Sequence, residues 1–398
     1  MVLANDVGEF FLNFLQNTGI YQFFSEGGWM NLIMILIAIL LLYLAIFKKA
    51  EPYLLIPMGV GMLLANLPGT GIFESITETY KMADGFPKEV TEYDGLLGVL
   101  YLGVKHEIYP CLIFLGIGAT TDFGPLISNP KTMILGAAAQ IGIFITFMFA
   151  YLFGFSGTQA ASIGIIGGAD GPTAILTTTK LAPELLSSIA IAAYSYMALV
   201  PFIQPPVIKL LTTKKERLIH MEMPKPVSKT KKILFPIIVM VVVILIVPSC
   251  APLIGCLMMG NLVKESGVVP KLVEACSNTL LYAVTILLGL TVGATATGTT
   301  FLTVQTLQIF ALGIIAFILA TAGGVLIGKV MCVVTKGKVN PMIGAAGVSA
   351  VPMAARVVQK LGQKEDPSNF LLMHAMGPNV AGVIGSAVAA GLLIQMLG

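Results

Sequence analysis

The sequence predicts an all-α, polytopic membrane protein, and three features favour this fold class: its composition, its long apolar runs and an internal repeat. Of 398 residues, 56% are hydrophobic and 11% are charged, and the mean hydropathy is +0.91. Soluble domains carry about 25% charged residues. With 23 Lys and Arg and 20 Asp and Glu residues, the chain cannot cover a water-soluble surface of this size. A soluble enzyme with a single membrane anchor is therefore excluded.

The first 27 residues are predicted to form an amphipathic segment at the membrane interface. Phe10, Phe11 and Phe14 recur at helical spacing, with Glu9 before them and Asn13 among them, which is typical of a helix lying in the interface. No Lys or Arg precedes the first apolar run, whereas a cleavable secretory signal begins with a basic region. We therefore expect the chain to enter the membrane through its own spans.

Residues 28–211 are predicted to form a first transmembrane repeat. Its first apolar run, 29–47, is long enough to cross a bilayer and ends at Lys48 and Lys49. Residues 69–94 are polar and acidic, which predicts an excursion outside the membrane. The other apolar runs of this repeat are 53–66, 95–119, 132–155, 159–179 and 185–211.

Residues 212–232 are predicted to form a basic cytoplasmic loop, and residues 233–398 a second transmembrane repeat. The loop holds seven Lys or Arg residues against two Glu residues, as the positive-inside rule predicts; binding of lipid or of a partner is the alternative. With broken spans included, we expect about ten or eleven spans. The apolar runs of this repeat are 233–256, 275–296, 305–335, 341–358 and 370–397.

Two blocks of sequence occur twice and in the same order. GGADGPTAILTTTKL at 167–181 matches GVSAVPMAARVVQKL at 347–361 in five of fifteen positions, and LGIGAT at 115–120 matches LTVGAT at 290–295 in four of six. The two shifts, 180 and 175 residues, are nearly equal. Segments broken by Gly and Pro at matching positions of two halves indicate the binding site of a transporter.

Asp170 lies in the first of these broken segments, IIGGADGPTAI. Glycines and a proline interrupt the helical hydrogen bonds and expose backbone groups at membrane depth, which is tolerated only where protein or a wet cavity satisfies them. A carboxylate in such a place needs a cation, a proton or an arginine as its partner. The alternative is a structural role, in which Asp170 caps the start of a half-helix.

The second broken segment, NPMIGAAGVSAVPMAAR at 340–356, offers further polar groups. Asn340 supplies an amide oxygen, Ser349 a hydroxyl, and the broken backbone supplies carbonyls. With Asp170 they would make an oxygen-only site, which suits a hard cation rather than a transition metal. Asn379, beside the Gly-Pro break of HAMGPN, is a further candidate. Arg356 is costly at membrane depth unless it faces a cavity or an anion.

Several other residues leave both a functional and a structural interpretation open. Tyr194 and Tyr196 lie inside an apolar run, where a tyrosine hydroxyl needs a hydrogen-bond partner. His374 is either a proton relay or a packing residue, and Asp122 is expected to mark a helix end at the interface. The five cysteines show no CxxC spacing and are interpreted as small buried side chains.

The sequence also lacks the motifs of several other functions. It has no GxxxxGK[ST] loop, HExxH, GxSxG or dinucleotide-binding GxGxxG, and no MKM motif for covalent attachment of biotin. The net charge of +3 gives no indication of nucleic-acid binding.

Four motifs carry a resemblance to a known family. GIGATTDFGPLISNP, GGADGPTAI, NPMIGAAGVSAVPMAAR and HAMGPNVAGVIGSA resemble the β subunit of the biotin-dependent, sodium-translocating decarboxylases, whose complexes act on oxaloacetate, methylmalonyl-CoA or glutaconyl-CoA. The resemblance extends from about residue 30 to the end of the chain. It implies two inverted repeats and an elevator-transporter-like fold in a bacterial cytoplasmic membrane.

The resemblance also implies a function. A partner carboxyltransferase α subunit loads biotin on a separate carrier protein, and the β subunit then decarboxylates this carboxybiotin and exports Na⁺ while a proton is taken up. A small γ subunit and a β homotrimer complete the complex, with biotin never attached to this chain. The implied Na⁺ site consists of Asp170, Asn340, Gly344, Ser349 and Asn379. The implied catalytic residues are Asp170, Tyr196 and Arg356.

Two other functions fit part of the sequence. A stand-alone Na⁺-coupled carrier of an organic anion would have the same broken repeats and oxygen-lined site, and neighbouring genes for a biotin carrier would distinguish the two. A purely structural membrane scaffold explains neither Asp170 nor Arg356.

Overall fold

A computed structural model describes residues 14–16, 18–24, 28–49, 51–81 and 87–398. Most of the predicted amphipathic N-terminus, 1–27, lies outside the described residues. Within the described ranges the regular elements are helices, apart from one two-stranded hairpin. The predicted all-α, polytopic fold class is therefore confirmed.

The helices vary in length from short turns to long apolar rods. Before the basic loop they are α1 (Gly19–Phe23), α2 (Gly28–Phe47), α3 (Pro52–Ala65), α4 (Leu96–Lys105), α5 (Ile108–Thr120), α6 (Gly124–Ser128), α7 (Met133–Ala139), α8 (Ile141–Leu152), α9 (Gly157–Gly164), α10 (Gly171–Leu181) and α11 (Leu186–Leu211). From the loop onward they are α12 (Lys214–Arg217), α13 (Lys229–Ile246), α14 (Ala251–Ser266), α15 (Pro270–Glu274), α16 (Leu281–Ala294), α17 (Gly298–Phe301), α18 (Val304–Val334), α19 (Met353–Glu365) and α20 (Leu372–Leu397).

The acidic excursion forms the hairpin. Strands β1 (Glu74–Lys81) and β2 (Pro87–Asp94) pair antiparallel, with Glu74 opposite Asp94. An antiparallel hairpin satisfies the inner backbone groups of both strands, so this polar segment needs no helix to form its hydrogen bonds.

Six apolar stretches of the described chain are helical and long enough to cross a membrane, which makes this a multi-pass membrane protein. They are Gly28–Phe47, Pro130–Leu152, Pro183–Leu211, Pro270–Ala294, Val304–Val334 and Leu372–Leu397. Other predicted apolar runs are interrupted. Run 159–179, for example, is divided into α9, a 3₁₀ turn (Ile165–Gly168) and α10, because glycines and Pro172 disrupt the helical hydrogen bonds there.

The chain divides into two compact units. The first consists of Met1–His106 and Thr285–Thr306, and the second of Glu107–Val284 and Leu307–Gly398. The largest cluster of buried apolar side chains lies in the second unit and includes Ile165, Ile166, Met342 and Ile343, which belong to the two broken segments. These units do not follow the predicted repeats, whose boundaries stay a prediction, as does an elevator-like movement.

The first unit contains one very close helix pair. A Cβ added to Gly61 of α3 would lie 2.0 Å from the carbonyl oxygen of Leu290 in α16, and one added to Gly293 would lie 2.1 Å from that of Met58. Only glycine permits backbones to approach so closely. The pair therefore depends on glycine at both positions.

The second unit repeats this packing with different residues. A Cβ on Gly260 of α14 would lie 2.0 Å from the Leu115 carbonyl oxygen in α5, and one on Gly118 would lie 2.0 Å from that of Leu257. Leu115 and Gly118 precede Leu290 and Gly293 by the same 175 residues that separate the two GAT blocks. In each unit, a helix from the first half of the chain thus packs on a helix from the second half.

This packing makes a prediction about two glycines of α14. Gly260→Ala should lower the free energy of unfolding by about 1–3 kcal/mol, because the added methyl group meets the Leu115 carbonyl and backbones cannot shift cheaply. Gly255→Ala, on the same helix, is the matched control, since its added Cβ has no heavy atom within 4 Å. Thermal unfolding in detergent measures both. Equal melting temperatures for the two variants would contradict the close packing.

Candidate functional site

The first broken segment positions Asp170 between two helices. Residues 165–168 form a 3₁₀ turn, Ala169 then adopts a left-handed φ of 57°, and Asp170 is extended. Pro172 stands in the first turn of α10, where its fixed φ favours a helix start and its missing N–H costs nothing. The chain therefore reverses at a fixed point with the carboxylate at the junction.

The second broken segment meets the first through the backbone. Residues Pro341–Gly347 form a 3₁₀ helix and Val348 is extended. The Ser349 N–H donates to the Gly168 carbonyl at 2.9 Å. This hydrogen bond pairs an N–H of the second broken segment with a carbonyl of the first, and it brings Ser349 beside Asp170.

Two serine hydroxyls hold the Asp170 carboxylate. Ser386 of α20 donates to Oδ2 at 2.9 Å, and Ser349 donates to the same oxygen at 3.3 Å. Asp170 is only 6% exposed. Among the residues that the structure describes, no Lys, Arg or His forms an ion pair with it. Its charge is therefore hydrogen-bonded but not neutralised by the side chains around it.

Buried amide side chains satisfy the rest of the broken backbone. Asn379 of α20 donates to the carbonyls of Ala346 and Val348, at 3.0 and 2.8 Å. Gln204 donates to the Ala345 carbonyl at 2.9 Å. Each amide thereby places its nitrogen on the backbone, and the oxygens Asn379 Oδ1 and Gln204 Oε1 are buried without a hydrogen-bond partner.

Gln140 repeats this arrangement next to the first broken segment. Its amide nitrogen donates to the carbonyls of Gly136 and Gly382, at 3.1 and 3.4 Å, and its Oε1 is also buried without a partner. A Cβ added to Gly168 would lie 3.6 Å from this oxygen and 3.1 Å from the Ser386 Cβ. Gln140 therefore lies close to the Asp170 cluster.

The cluster formed by Asp170, Ser349, Ser386 and Asn379 offers oxygen ligands only. A buried carboxylate without a counter-charge is costly, and hydroxyl and amide oxygens are ligands of hard cations. Within the described ranges, no group of three His, Cys, Asp or Glu side chains could hold a metal ion. One carboxylate among neutral oxygens offers a single negative charge, which suits a monovalent hard cation or a proton.

Asn340 and Gly344 lie in the same 3₁₀ helix or beside it, but their contacts are different. The Asn340 amide nitrogen donates to the carbonyls of Arg217 and Ile219, at 3.1 and 2.9 Å, and its Oδ1 accepts from Met342 N–H at 3.0 Å. A Cβ on Gly344 would lie 2.0 Å from the Gly324 carbonyl oxygen. Asn340 thus fixes the basic segment, and Gly344 allows close packing on α18.

The basic segment is tied down by further contacts. Arg217 pairs with Glu365 at 2.9 Å, and His220 with Asp366 at 2.9 Å. Hydrogen bonds from Ser368, and then from His220, lower the pKa of Asp366 to about 2, so this carboxylate is charged at physiological pH. His374 is buried; its Nε2 has no hydrogen-bond partner, and the imidazole hydrogen-bonds to the main chain of Met221.

The two tyrosines of α11 differ in their relation to Asp170. The Tyr196 hydroxyl donates to the Phe310 carbonyl, and its ring packs edge-on against Phe310 and Phe317 of α18. A Cβ added to Gly171 would lie 2.1 Å from the Tyr194 ring. Tyr194, rather than Tyr196, therefore packs against the residue that follows Asp170.

Arg356 is not part of the Asp170 cluster. It lines a cavity of about 370 Å³ between α11 and α19. Its side chain is exposed. The other lining residues are Pro201, Pro205, Lys209, Met353, Val357, Lys360, Leu361 and Lys364. With four cations and no acid in its lining, this cavity suits an anion.

Some residues of the cluster escaped the sequence analysis. Ser386 follows Asn379 by seven residues, which places both on one face of α20, and it is a polar residue in the run VAGVIGSAVAAG. That spacing was the available signal. No such signal was available for Gln140 and Gln204. Their oxygens are recognised as free ligands only when the hydrogen-bond partners of their amide nitrogens are known.

Comparison with known proteins identifies similar chains over more than nine tenths of the length. A family profile described as "Na⁺-transporting oxaloacetate decarboxylase beta subunit" matches residues 30–397. The methylmalonyl-CoA decarboxylase subunit beta of Propionigenium modestum is 55% identical over 394 residues, covering 97% of this chain and 99% of that protein. The glutaconyl-CoA decarboxylase subunit beta of Acidaminococcus fermentans is 52% identical over 384 residues, covering 96% of each. The oxaloacetate decarboxylase beta chain of Klebsiella pneumoniae is 49% identical over 407 residues, covering 91% and 94%.

The hydrogen bonds around Asp170 lead to a prediction on stability. Ser386→Ala should lower the free energy of unfolding by about 1–3 kcal/mol, because it removes a donor from a buried carboxylate. Ser187→Ala is the matched control: Ser187 is 1% exposed and its hydroxyl has no hydrogen-bond partner. Thermal unfolding in detergent separates them. A loss for Ser386→Ala no larger than that for Ser187→Ala would contradict the observed bond.

Proposed function

The chain belongs to the family of Na⁺-transporting oxaloacetate decarboxylase beta subunits, and from this membership we propose that it decarboxylates carboxybiotin and exports Na⁺. The biotin would be carried by a partner protein, and a proton would be taken up in exchange. A beta subunit is by definition one part of a larger complex. We propose as its partners a carboxyltransferase α subunit, a biotin carrier protein and a small γ subunit, around a β homotrimer.

The observation that carries this proposal is the Asp170 carboxylate held by serines of the second half. Ser349 and Ser386 both donate to it. Asn379 donates its amide nitrogen to the carbonyl of Val348, the residue before Ser349, and its amide oxygen is buried without a hydrogen-bond partner. A desolvated cation needs several such oxygens to replace its water shell. We propose that Na⁺ is held by Asp170, Ser349, Ser386 and Asn379. Asn340 and Gly344 would support this site by fixing the second broken segment.

Exchange of Na⁺ for a proton follows from the cost of the empty site. With Na⁺ or a proton bound, the carboxylate carries no net charge; with neither, it is an uncompensated charge at low dielectric. The empty charged state is therefore the least stable one. A site of this kind releases Na⁺ readily only where a proton replaces it, so each Na⁺ exported is linked to a proton taken up.

Arg356 is the proposed binding group for the substrate. Its planar guanidinium matches a carboxylate in a bidentate geometry, and its cavity contains no acidic lining residue. Loss of CO₂ breaks the N–C bond of carboxybiotin, leaves the electron pair on the biotin nitrogen and consumes one proton there. Tyr196, by contrast, would act by positioning α11 against α18, since its hydroxyl bonds the Phe310 carbonyl.

The ion site is tested by Asp170→Asn in the reconstituted complex. ²²Na⁺ transport and decarboxylation should both fall by about 100-fold or more, because a cation–carboxylate attraction contributes about 4 kcal/mol at 4 Å and an effective dielectric of 20. Asp122→Asn removes a half-exposed carboxylate elsewhere and serves as the control. Retained Na⁺ transport in Asp170→Asn would refute the proposed role.

The substrate site is tested by Arg356→Gln. The KM for the carboxylated carrier should rise by about 10- to 100-fold, since a hydrogen-bonded charge pair contributes about 1.5–3 kcal/mol, while the apparent affinity for Na⁺ stays the same. Lys214→Gln, a charge loss in the basic loop, is the control. An unaltered KM, or an equal loss of Na⁺ affinity, would contradict this assignment.

A further inference from the structure

Four cations around the Arg356 cavity have no counter-charge within the described chain. Arg356, Lys360 and Lys364 come from α19, and Lys209 comes from the end of α11. All four side chains are exposed, and none takes part in an ion pair among the residues that the structure describes. The positive charge of the cavity is therefore left for an outside partner.

Nearby acids are already occupied. At the end of α19, Glu365 pairs with Arg217, and Asp366 pairs with His220 and accepts from Ser368. These carboxylates hold the basic segment and are not available to the lysines of the cavity. The separation of acids from these lysines is thus a fixed feature of the fold.

The internal repeat supplies a comparison for Lys360. Lys180 matches Lys360 in the 180-residue repeat, and each lies in the helix that follows its broken segment. Lys180 forms an ion pair with Glu107. Lys360, at the matching position of the second half, has no ion-pair partner among the described residues, which leaves it free to meet an anion of another molecule.

The spacing of the cations on α19 indicates how the negative charge of the partner is distributed. Arg356, Lys360 and Lys364 are spaced by four residues, so they form one stripe about 12 Å long. A single carboxylate engages one or two cations at hydrogen-bond distance. A stripe of this length, widened by Lys209, matches several negative charges spread over a surface.

The composition of α19 favours a water-soluble partner over a lipid. The helix MAARVVQKLGQKE carries an arginine, two lysines and a glutamate in 13 residues, and it is not among the candidate membrane spans. Its exposed positions, including Arg356, Lys360 and Lys364, are charged rather than apolar. A helix with such a face is solvated, and its partner approaches through water.

We propose that Lys209, Lys360 and Lys364 form a docking strip for an acidic face of the soluble protein that delivers the carboxylated group to Arg356. The inference rests on the proposed function, since it takes Arg356 as the group that receives the substrate carboxylate. The three lysines act on the carrier protein and not on the reacting group. They speed encounter and orient the carrier, and salt weakens this effect because the charges are exposed.

The experiment compares two substrates with two double variants of the reconstituted complex. One substrate is the carboxylated carrier protein added in trans, and the other is low-molecular-weight N-carboxybiotin. Lys360→Gln/Lys364→Gln removes two charges of the strip. Lys214→Gln/Lys215→Gln removes two exposed charges of the basic loop and is matched in net charge. CO₂ release is measured in phosphatidylcholine vesicles, with and without phosphatidylglycerol, at about 20 and 300 mM potassium salt.

The docking strip predicts a selective effect on the carrier. For Lys360→Gln/Lys364→Gln, the KM for the carrier should rise about 10-fold at low salt, approach the control value at high salt and leave kcat within about twofold. The KM for N-carboxybiotin should change no more than in the control variant. This combination separates docking of a protein from binding of a small carboxylate.

Three results would overturn the docking strip. The KM for the carrier could equal that of the control; it could rise no more than the KM for N-carboxybiotin, which would make the lysines part of a small-anion pocket; or its rise could depend on phosphatidylglycerol, which would indicate a lipid site. If the unsubstituted complex released CO₂ from neither substrate, the proposed function itself would fail. A normal unsubstituted complex with any of the three results overturns the docking strip alone.

Discussion

A carboxylate buried among broken helices needs a counter-charge, and this constraint organises the second unit. Asp170 is 6% exposed, and the described groups that donate to its oxygens are all uncharged. Hydrogen bonds stabilise the charged form, but they do not cancel it. A mobile cation or a proton is the remaining partner. The binding and release that we propose, of one of these two at a time, would thus follow from where the carboxylate lies.

The residues packed around Asp170 satisfy the backbone groups that the broken helices leave unpaired. Broken backbone at membrane depth has carbonyls to satisfy, and Gln204 and Asn379 satisfy those of Ala345, Ala346 and Val348. An amide that donates its nitrogen leaves its oxygen available, so satisfying the backbone also creates ligands. Glycines allow the helix backbones to approach closely, as at Gly118, where there is no room for a Cβ. The amide side chains that satisfy the broken backbone thus also supply oxygens to the proposed ion site.

Much of this arrangement could be predicted from the sequence, because its signals are local. Composition predicted the fold class, and the Gly-Pro breaks identified Asp170, Ser349 and Asn379, which the structure brings close to one another. Ser386 was missed although its seven-residue spacing from Asn379 was readable. The hairpin of the acidic excursion was not expected either, because a polar segment outside the membrane has no hydropathy signal for its secondary structure.

The other differences between the sequence-based expectations and the structure arise from tertiary contacts. Asn340 faces the main chain of Arg217 and Ile219, and Tyr196 faces α18; a sequence pattern gives the face of a helix but not its neighbour. The predicted halves also differ from the two compact units, because helices of the two halves pack on each other. The equal shifts between the repeated blocks do not reveal whether a helix packs on a helix of its own half or of the other half.

The pH dependence of Na⁺ affinity tests the central claim, that Asp170 binds Na⁺ and a proton in alternation. The apparent Na⁺ affinity of the reconstituted complex should be measured from ²²Na⁺ binding between about pH 5.5 and 8.5. Because the two cations compete for one carboxylate, raising the pH should tighten apparent Na⁺ binding by up to about 10-fold per pH unit wherever the proton occupies the site. An affinity that does not vary with pH across this range would contradict the alternation.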